Sequence, residues 1–286
     1  MYVKTIDYRS PQAAHGFIES VRETGFAVLS HHPISQKLIE SVYQEWEEFF
    51  KSDTKFAYLF NPHTNRQAGY FPFKSENAKG YPAKDLKEFY HYRDENDLPK
   101  GMGRNTQLLI EELSTLAQEV LKWIEDGLPE EVVNSLSTPL HQMIHESDMT
   151  LIRILHYPPI SDKEKEGAVR SAAHEDIDLL TILPAATAPG LQVQDGMDRW
   201  HNVSCDYGTL VFNVGDMLQL ATQGFYKSTT HRVINPAGKD SQKSRYSLPL
   251  FFHPRGDVQL SPIHTAHTYL TERLNELGLK PSGEAA

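Results

Sequence analysis

A series of short apolar segments between residues 151 and 252 constrains the fold of this chain more than any other feature. Turn residues such as Pro189-Gly190 and Asp195-Gly196 separate the segments at intervals of about 8–12 residues, which is typical of an all-β sandwich or barrel. The segments predicted as strands cover residues 151–157, 176–183, 190–194, 200–203, 209–213, 217–221, 230–234 and 246–252.

The first half of the chain has helical periodicity instead. Apolar residues at three- to four-residue spacing predict a helix from Ser10-Pro11 to Gly25, a second helix beginning at Ser35 and a third over residues 109–124. Helices first and strands later predict an α+β chain, mainly β, with helices packed outside a β core. The predicted division is an N-terminal helical and loop region (1–148), the β core (149–256) and a C-terminal helix and tail (257–286), together one compact unit.

Composition excludes several classes of protein. The formal net charge is −10, and Lys and Arg are not clustered, which argues against a protein that binds nucleic acid through its phosphates. The single cysteine, Cys205, fits a reducing compartment. No apolar run reaches the about 18 residues of a membrane span, and the acidic Asp7 is unlike a signal peptide. We expect a cytoplasmic protein, monomeric or weakly homo-oligomeric, without membrane or nucleic-acid partners.

His174 and Asp176 lie two residues apart at the start of an apolar run. In an extended strand both side chains would point to the same face. One further imidazole would complete the 2-His-1-carboxylate set that binds non-haem iron. His231, in an extended β-branched segment, is favoured as this third ligand over His201 and His253, which lie nearer to strand ends. A single histidine in a strand is usually not a ligand, so the hypothesis depends on all three residues.

Arg245 and Ser247 form a second pair with the same spacing. A guanidinium directed into a barrel must be paired, because a buried unpaired charge is very costly. A carboxylate co-substrate would pair with Arg245 in bidentate geometry, and the Ser247 hydroxyl would add a hydrogen bond. An internal Asp or Glu would satisfy the arginine equally well, and from spacing alone both alternatives stay open.

Together these motifs resemble the isopenicillin N synthase-like branch of the iron(II)/2-oxoglutarate-dependent oxygenases. The family's His-x-Asp…His metal motif is matched by His174, Asp176 and His231, and its Arg-x-Ser motif by Arg245 and Ser247. Other similar segments are Gly25-Phe26, His31-His32-Pro33-Ile34, Lys87-Glu88-Phe89, Gly190-Leu191-Gln192-Val193, Asn213-Val214-Gly215-Asp216-Met217 and His231-Arg232-Val233.

The resemblance implies a double-stranded β-helix (jelly roll) with flanking helices. It also implies Fe(II) and O2, with 2-oxoglutarate as co-substrate and ascorbate as a candidate reductant. The co-substrate would bind iron and place its C5 carboxylate on Arg245 and Ser247. Tyr157 matches the tyrosine of the family's co-substrate motif Asn-x-Tyr, whereas Leu155 stands in place of the asparagine. Oxidative decarboxylation to succinate and CO2 would then drive hydroxylation or desaturation of a small molecule.

The aromatic residues of the irregular region 69–92 could line a substrate pocket or pack beneath the loop. The candidates for substrate contact are Tyr70, Phe89, Phe251 and His253. Two other functions stay open: an iron oxidase of the same fold that does not use 2-oxoglutarate, and a non-catalytic β-helix protein that binds a small molecule. Retention of all five metal and co-substrate residues favours the enzyme.

Overall fold

The computed structural model describes residues 2–63, 67–76, 83–94, 97–161, 164 and 167–276. The α-helices are α1 Ala13–Thr24, α2 Gln36–Lys51, α3 Asn105–Asp126, α4 Glu130–Val133, α5 Leu140–Met143, α6 Asp216–Ala221 and α7 Ala266–Glu276. The strands are β1 Thr5–Asp7, β2 Phe26–Ser30, β3 Gly69–Phe71, β4 Glu88–Tyr92, β5 Leu151–Tyr157, β6 Ser171–His174, β7 Leu180–Pro184, β8 Leu191–Gln194, β9 Trp200–Asn202, β10 Thr209–Val214, β11 His231–Val233, β12 Arg245–Ser247, β13 Leu250–Phe252, β14 Gln259–Ser261 and β15 His264–Thr265. Within these ranges no helix is long and apolar enough to cross a membrane.

Local sequence signals place the first two helices. α1 ends at Gly25, whose φ of 71° is the left-handed conformation that glycine adopts freely. A Cβ at Gly25 would lie 2.3 Å from the Thr229 hydroxyl, so the position requires glycine for space as well. α2 begins after Ser35, whose side chain accepts a hydrogen bond from the backbone N–H of Leu38. Both helices therefore begin or end at residues whose chemistry suits that boundary.

Two sheets form the core. The large sheet has nine strands in the order β1-β2-β10-β7-β13-β5-β4-β3, with β12 also paired to β5. The small sheet has the order β6-β11-β8-β9, and β14 and β15 form a separate hairpin. One face of the large sheet packs against α1, α2 and α3. From its other face, side chains such as Val28, Leu183 and Val211 pack against Leu191 and Val193 of the small sheet. The prediction of a mainly β core with flanking helices is confirmed.

The N-terminal segment contributes strands to both ends of the large sheet. β2 pairs with β10 at one end, and β4 pairs with β5 at the other. Four strands of the predicted core region, β10, β7, β13 and β5, thus lie between two pairs of strands from the first hundred residues. The outermost strands, β1 and β3, are three residues each, and short edge strands limit edge-to-edge pairing with other chains.

The strand predicted for residues 217–221 is wrong, because these residues lie in α6. A short apolar run does not distinguish a strand from a buried helix turn. Here the backbone N–H groups of Asp216 and Met217 donate to the carbonyl oxygens of Asp176 and Asp178 at 2.8 and 3.0 Å, which satisfies donors at the start of a helix.

Other boundaries also shift. The segment 246–252 is divided into β12 and β13 around Pro249, which has no N–H to donate to a ladder. The strand predicted for 176–183 begins at Leu180. α7, Ala266–Glu276, lies within the region 257–286 predicted to hold a C-terminal helix and tail, and the residues after 276 lie outside the described part of the chain.

Candidate active site

His174, Asp176 and His231 come together where β6 and β11 meet. The two strands are antiparallel, and His231 lies directly opposite His174. The potential ligand atoms of the three residues all lie within 4.8 Å of one another. Nε2 of His174 is 3.8 Å from Oδ1 of Asp176, and Nε2 of His231 is 3.8 Å from Oδ2. The strand ends at His174, so Asp176 follows β6 instead of belonging to it, yet its carboxylate still faces both rings.

Both imidazoles are held with Nε2 free. The Nδ1 of His174 lies 2.8 Å from the carbonyl oxygen of Ala172, and the Nδ1 of His231 lies 3.1 Å from that of Thr229. A neutral ring that donates from Nδ1 has its lone pair on Nε2, which is the arrangement of a metal-binding histidine. Burial, followed by the neighbouring His231, lowers the pKa of His174 to about 4, so this ring is neutral at pH 7.

Asp176 is fixed by two donors to one oxygen. The Thr181 hydroxyl lies 2.7 Å and the Asn213 amide nitrogen 2.8 Å from Oδ2. Burial acts to raise the pKa of Asp176, but His231, His174 and these two hydrogen bonds together hold it below its ordinary value. The carboxylate is therefore ionised and oriented toward the imidazoles. Asn213 had no assigned role in the sequence analysis, although it lies in a segment that resembles the family.

A second carboxyl group, Asp178, supports the loop that follows β6. Its Oδ2 lies 2.9 Å from the Thr181 hydroxyl, and the side chain is fully buried. Burial, followed by the charge of Asp176, raises the pKa of Asp178 well above its usual value. Gly215 packs against this residue so closely that a Cβ would lie 2.1 Å from the Asp178 carbonyl oxygen. The metal-site loop and the start of α6 therefore fit together only with glycine at 215.

Arg245, Ser247 and Tyr157 form a buried group on the paired strands β12 and β5. β12 pairs with β5 so that Arg245 lies opposite Tyr157 and Ser247 opposite Leu155. The Arg245 guanidinium carbon is 5.1 Å from the Tyr157 ring centroid, and its Nε donates to the Ala188 carbonyl oxygen at 2.9 Å. Arg245 is 1% exposed, and its Nη1 is buried without a hydrogen-bond partner. No aspartate or glutamate in the described part of the chain forms an ion pair with it.

These residues fit the groups that the resemblance implies. Two imidazoles and one carboxylate are a donor set suited to Fe(II). A buried guanidinium with an unpartnered N–H fits a carboxylate ligand, because such a charge is costly to leave unpaired. Among described residues, the internal acid that could have paired with Arg245 is not found.

Three of the four candidates for substrate contact lie in the large sheet, where they do not share one face, and His253 follows β13. Phe251 is the cross-strand neighbour of Thr181, so it shares the face on which Thr181 binds Asp176. The Phe89 ring stacks on Phe71 at 4.6 Å between centroids and is 1% exposed. Tyr70 lies on the opposite, helix-facing side.

Tyr70 is placed by its contacts in the core. Its ring packs edge-on against Phe49 of α2, and its hydroxyl donates to the buried Glu88. His253, by contrast, is buried near the metal-binding residues, and burial lowers its pKa to about 4. Tyr70 is therefore withdrawn as a substrate candidate, because its side chain points away from the metal-binding residues. His201 pairs with Asp195 at 2.7 Å and takes no part in the cluster.

Comparison with known proteins agrees with this site. The model of the 2OG-Fe(II) oxygenase superfamily matches residues 147–254, and the N-terminal model of the non-haem dioxygenases in morphine synthesis matches residues 4–109. A 2-oxoglutarate-dependent dioxygenase of Monascus ruber is 32% identical over 88% of this chain and 82% of its own length. The chain belongs to the 2OG-Fe(II) oxygenase superfamily.

Solved structures extend the comparison. A candidate oxygenase from Shewanella oneidensis is 48% identical, with a TM-score of 0.88 over 97% of this chain and 99% of that chain. A Neurospora crassa protein, solved in complex with alpha-KG and thymine, shares the fold at 22% identity and a TM-score of 0.78, with 96% of each chain covered. The jelly-roll fold is therefore confirmed. As a 2OG-Fe(II) oxygenase, the protein is an oxidoreductase that uses Fe(II), 2-oxoglutarate and O2.

Proposed function

We propose that His174, Asp176 and His231 hold Fe(II), and that Arg245 with Ser247 binds the C5 carboxylate of 2-oxoglutarate, in a dioxygenase that hydroxylates or desaturates a small molecule. The observation that carries this proposal is the buried Arg245, whose Nη1 has no partner, together with the three metal-competent side chains that converge where β6 and β11 meet. A same-fold oxidase without 2-oxoglutarate could pair Arg245 with a carboxylate of its own substrate, so the succinate assay below has to separate the two functions.

The chain's own residues bind and orient the reactants. Backbone carbonyls hold the two imidazoles so that each Nε2 faces Asp176, and Thr181 and Asn213 hold the carboxylate. Tyr157 covers the guanidinium of Arg245 and keeps bulk water from it. When bound, Fe(II) would activate O2, with 2-oxoglutarate supplying two electrons as it is converted to succinate and CO2. The protein thus contributes position and exclusion of water.

We expect the substrate to lie against Phe251, His253 and Phe89. Arg153 lies on the same face, with its guanidinium 4.7 Å from the Phe89 ring centroid and 5.9 Å from that of Phe251. Its Nε lies 2.8 Å from His91, and its Nη1 3.2 Å from Glu76. No described residue accepts a hydrogen bond from Nη2, and the side chain is 22% exposed. We expect Arg153 to contact an oxygen of the substrate and the phenyl rings to contact its apolar part.

The proposed substrate class, partners, oligomeric state and location follow from several features of the chain and its relatives. The thymine complex of the Neurospora relative supports a small-molecule substrate. The short edge strands support a monomer or weak homo-oligomer, the net charge of −10 speaks against nucleic acid as partner, and the single Cys205 supports the cytoplasm. The regions 1–148, 149–256 and 257–286 would act as one unit, because the first supplies strands to the sheet of the second.

The proposal is tested by a substrate screen scored as succinate released from 2-oxoglutarate. The wild type should release succinate in an iron-dependent manner, and the His174→Ala variant should lose metal binding. Arg245→Gln should weaken 2-oxoglutarate binding by about 2–5 kcal/mol, since it removes one partner of a buried charge pair, with metal affinity unchanged.

Arg232→Gln is the matched control, because Arg232 stacks on Trp200 and bonds Gln192 outside the pocket. Oxidation of a substrate without 2-oxoglutarate would establish the oxidase instead. A wild-type protein that binds a small molecule but neither iron nor 2-oxoglutarate would be the non-catalytic binding protein.

A further inference from the structure

A second buried arginine lies next to the co-substrate pocket. Arg170 directly precedes β6 and is 1% exposed. Its guanidinium carbon is 5.9 Å from the centroid of the same Tyr157 ring that Arg245 contacts at 5.1 Å. Two guanidinium groups are thus gathered around one tyrosine in the interior of the fold.

The position of Arg170 is set by backbone groups. Its Nη2 donates to the carbonyl oxygen of Lys243 at 2.9 Å, and its main-chain N–H donates to the Asn235 side chain at 3.0 Å. Asn235 in turn donates to the Ala168 carbonyl oxygen at 2.8 Å, which fixes the segment before β6. The Nε of Arg170 is buried and has no hydrogen-bond partner. The side chain is therefore held firmly, yet it has an unused donor.

No described acid compensates either arginine. Neither Arg170 nor Arg245 forms an ion pair in the described ranges, and their other polar contacts are backbone carbonyls. Burial, followed by the charge of Arg245, lowers the pKa of Arg170 to about 10. Two like charges placed together in an interior oppose folding unless an anion joins them. Each arginine also presents a buried N–H without an acceptor.

We propose that Arg170 and Arg245 form a two-arginine pocket for the C5 carboxylate of 2-oxoglutarate, which makes Arg170 a second co-substrate-binding residue beside the Arg-x-Ser pair. A carboxylate has two oxygens with about four lone-pair sites. It can therefore accept hydrogen bonds from Arg245 Nη1, Arg170 Nε and the Ser247 hydroxyl together. This inference rests on the proposed function, because it assigns a residue to the same co-substrate.

The pocket has an unusual consequence for stability. A residue that serves the fold stabilises the protein without ligand, whereas an unpaired buried charge destabilises it and becomes favourable only when the ligand arrives. Arg170→Gln should therefore affect the two states in opposite directions. Ligand-free protein should unfold at the same or a higher temperature than the wild type, while the affinity for 2-oxoglutarate falls on the order of 10–100-fold.

The experiment compares wild type, Arg170→Gln and Arg170→Lys, each loaded with Mn(II) in place of Fe(II). Calorimetric titration with 2-oxoglutarate gives the dissociation constant, and thermal unfolding with and without 2-oxoglutarate gives the stability of both states. Arg170→Lys keeps the charge but loses the planar donor set, so its affinity should lie between the other two. Arg232→Gln is again the control and should bind 2-oxoglutarate as the wild type does.

Wild-type affinity in Arg170→Gln would overturn the inference. So would a lower unfolding temperature or an insoluble Arg170→Gln protein, because either result means that Arg170 supports the fold. Loss of affinity in Arg245→Gln with full affinity in Arg170→Gln would remove the two-arginine pocket and leave the proposed function standing. A wild type that neither binds 2-oxoglutarate nor releases succinate from it would instead refute the proposed function itself.

Discussion

Thr181 offers the sharpest test of how the metal site is held. Its hydroxyl lies 2.7 Å from Oδ2 of Asp176 and 2.9 Å from Oδ2 of Asp178. One hydroxyl has a single proton. We expect that proton to go to the ionised Asp176, and the raised pKa of Asp178 allows that carboxyl to donate its own proton to Thr181. Thr181→Val removes the hydroxyl and keeps the shape of the side chain.

The expected loss of Fe(II) affinity in Thr181→Val depends on the hydrogen bond to Asp176 that this variant removes. A hydrogen bond to a charged group contributes about 1.5–3 kcal/mol. That energy is present with and without metal, so the effect on Fe(II) binding comes from the orientation of Asp176; loss of such an orienting partner typically lowers metal affinity by about 10–100-fold, and we expect this range for Thr181→Val. The Asn213 amide, 2.8 Å from the same oxygen, remains and keeps part of the orientation. The affinity for 2-oxoglutarate should change far less, because Arg245 and Ser247 are untouched.

Anaerobic titration with Fe(II), repeated with Mn(II), measures the effect. Thr222→Val is the matched control: Thr222 is equally buried, but its hydroxyl donates to the Leu218 carbonyl oxygen at 2.8 Å on α6, outside the cluster. Both variants should lose similar stability, and only Thr181→Val should lose metal affinity. Metal affinity within twofold of the wild type in Thr181→Val would show that this hydroxyl does not orient Asp176.

Three further outcomes are expected. Phe251→Ala should raise the KM for the substrate several-fold. Tyr70→Phe should leave KM unchanged and lower only the unfolding midpoint, because the Tyr70 hydroxyl bonds Glu88 in the core. Equal effects of the two variants on KM would contradict the positions assigned to these residues. Gly215→Ala should lower the free energy of unfolding by about 1–3 kcal/mol, as overpacking does, because a Cβ would lie 2.1 Å from the Asp178 carbonyl oxygen; chemical denaturation that gives wild-type stability would refute this. Removal of Fe(II) by a chelator should lower the unfolding temperature, since a ligand that binds only the folded state stabilises it, and the shift should be absent in His174→Ala.

The parts of the site that follow a local rule could be predicted from the sequence. His174 and Asp176, like Arg245 and Ser247, are two residues apart, and side chains at that spacing share a face in an extended chain. The strand ends at His174, so the rule applied only in part to Asp176, yet the residue still faces both imidazoles. Spacing therefore indicated which side chains meet without giving the exact strand boundary.

The parts that depend on distant contacts could not be predicted. Asn213 reaches Asp176 across 37 positions of the chain, and nothing in its own segment indicates this contact. Arg170 has no neighbour at a motif-like spacing, and only the fold brings it to Tyr157 and Arg245. Tyr70 was one of several aromatic residues in an irregular region, and an inventory of aromatics does not tell which face of β3 each one occupies.

The strand predicted for 217–221 was wrong for a related reason. Its five residues are apolar enough for either a strand or a buried helix turn. The helix forms because the donors at its start bind carbonyl oxygens of the metal-site loop, and this partner is far away in sequence. Tertiary contacts thus decided the type of element as well as its position.

The arrangement of the large sheet has a consequence for how this enzyme can be divided or recombined. In residues 149–256 alone, one edge of β10 and one edge of β5 would have no neighbouring strand. In the full chain β2 pairs with that edge of β10, and β4 pairs with that edge of β5. A shortened protein that begins after α3 would expose two bare strand edges, and such edges pair with other chains. We expect it to aggregate, even with every metal and co-substrate residue intact. Chimaeras with a relative should therefore join at turns and carry β1 to β4 along with β5, β7, β10 and β13.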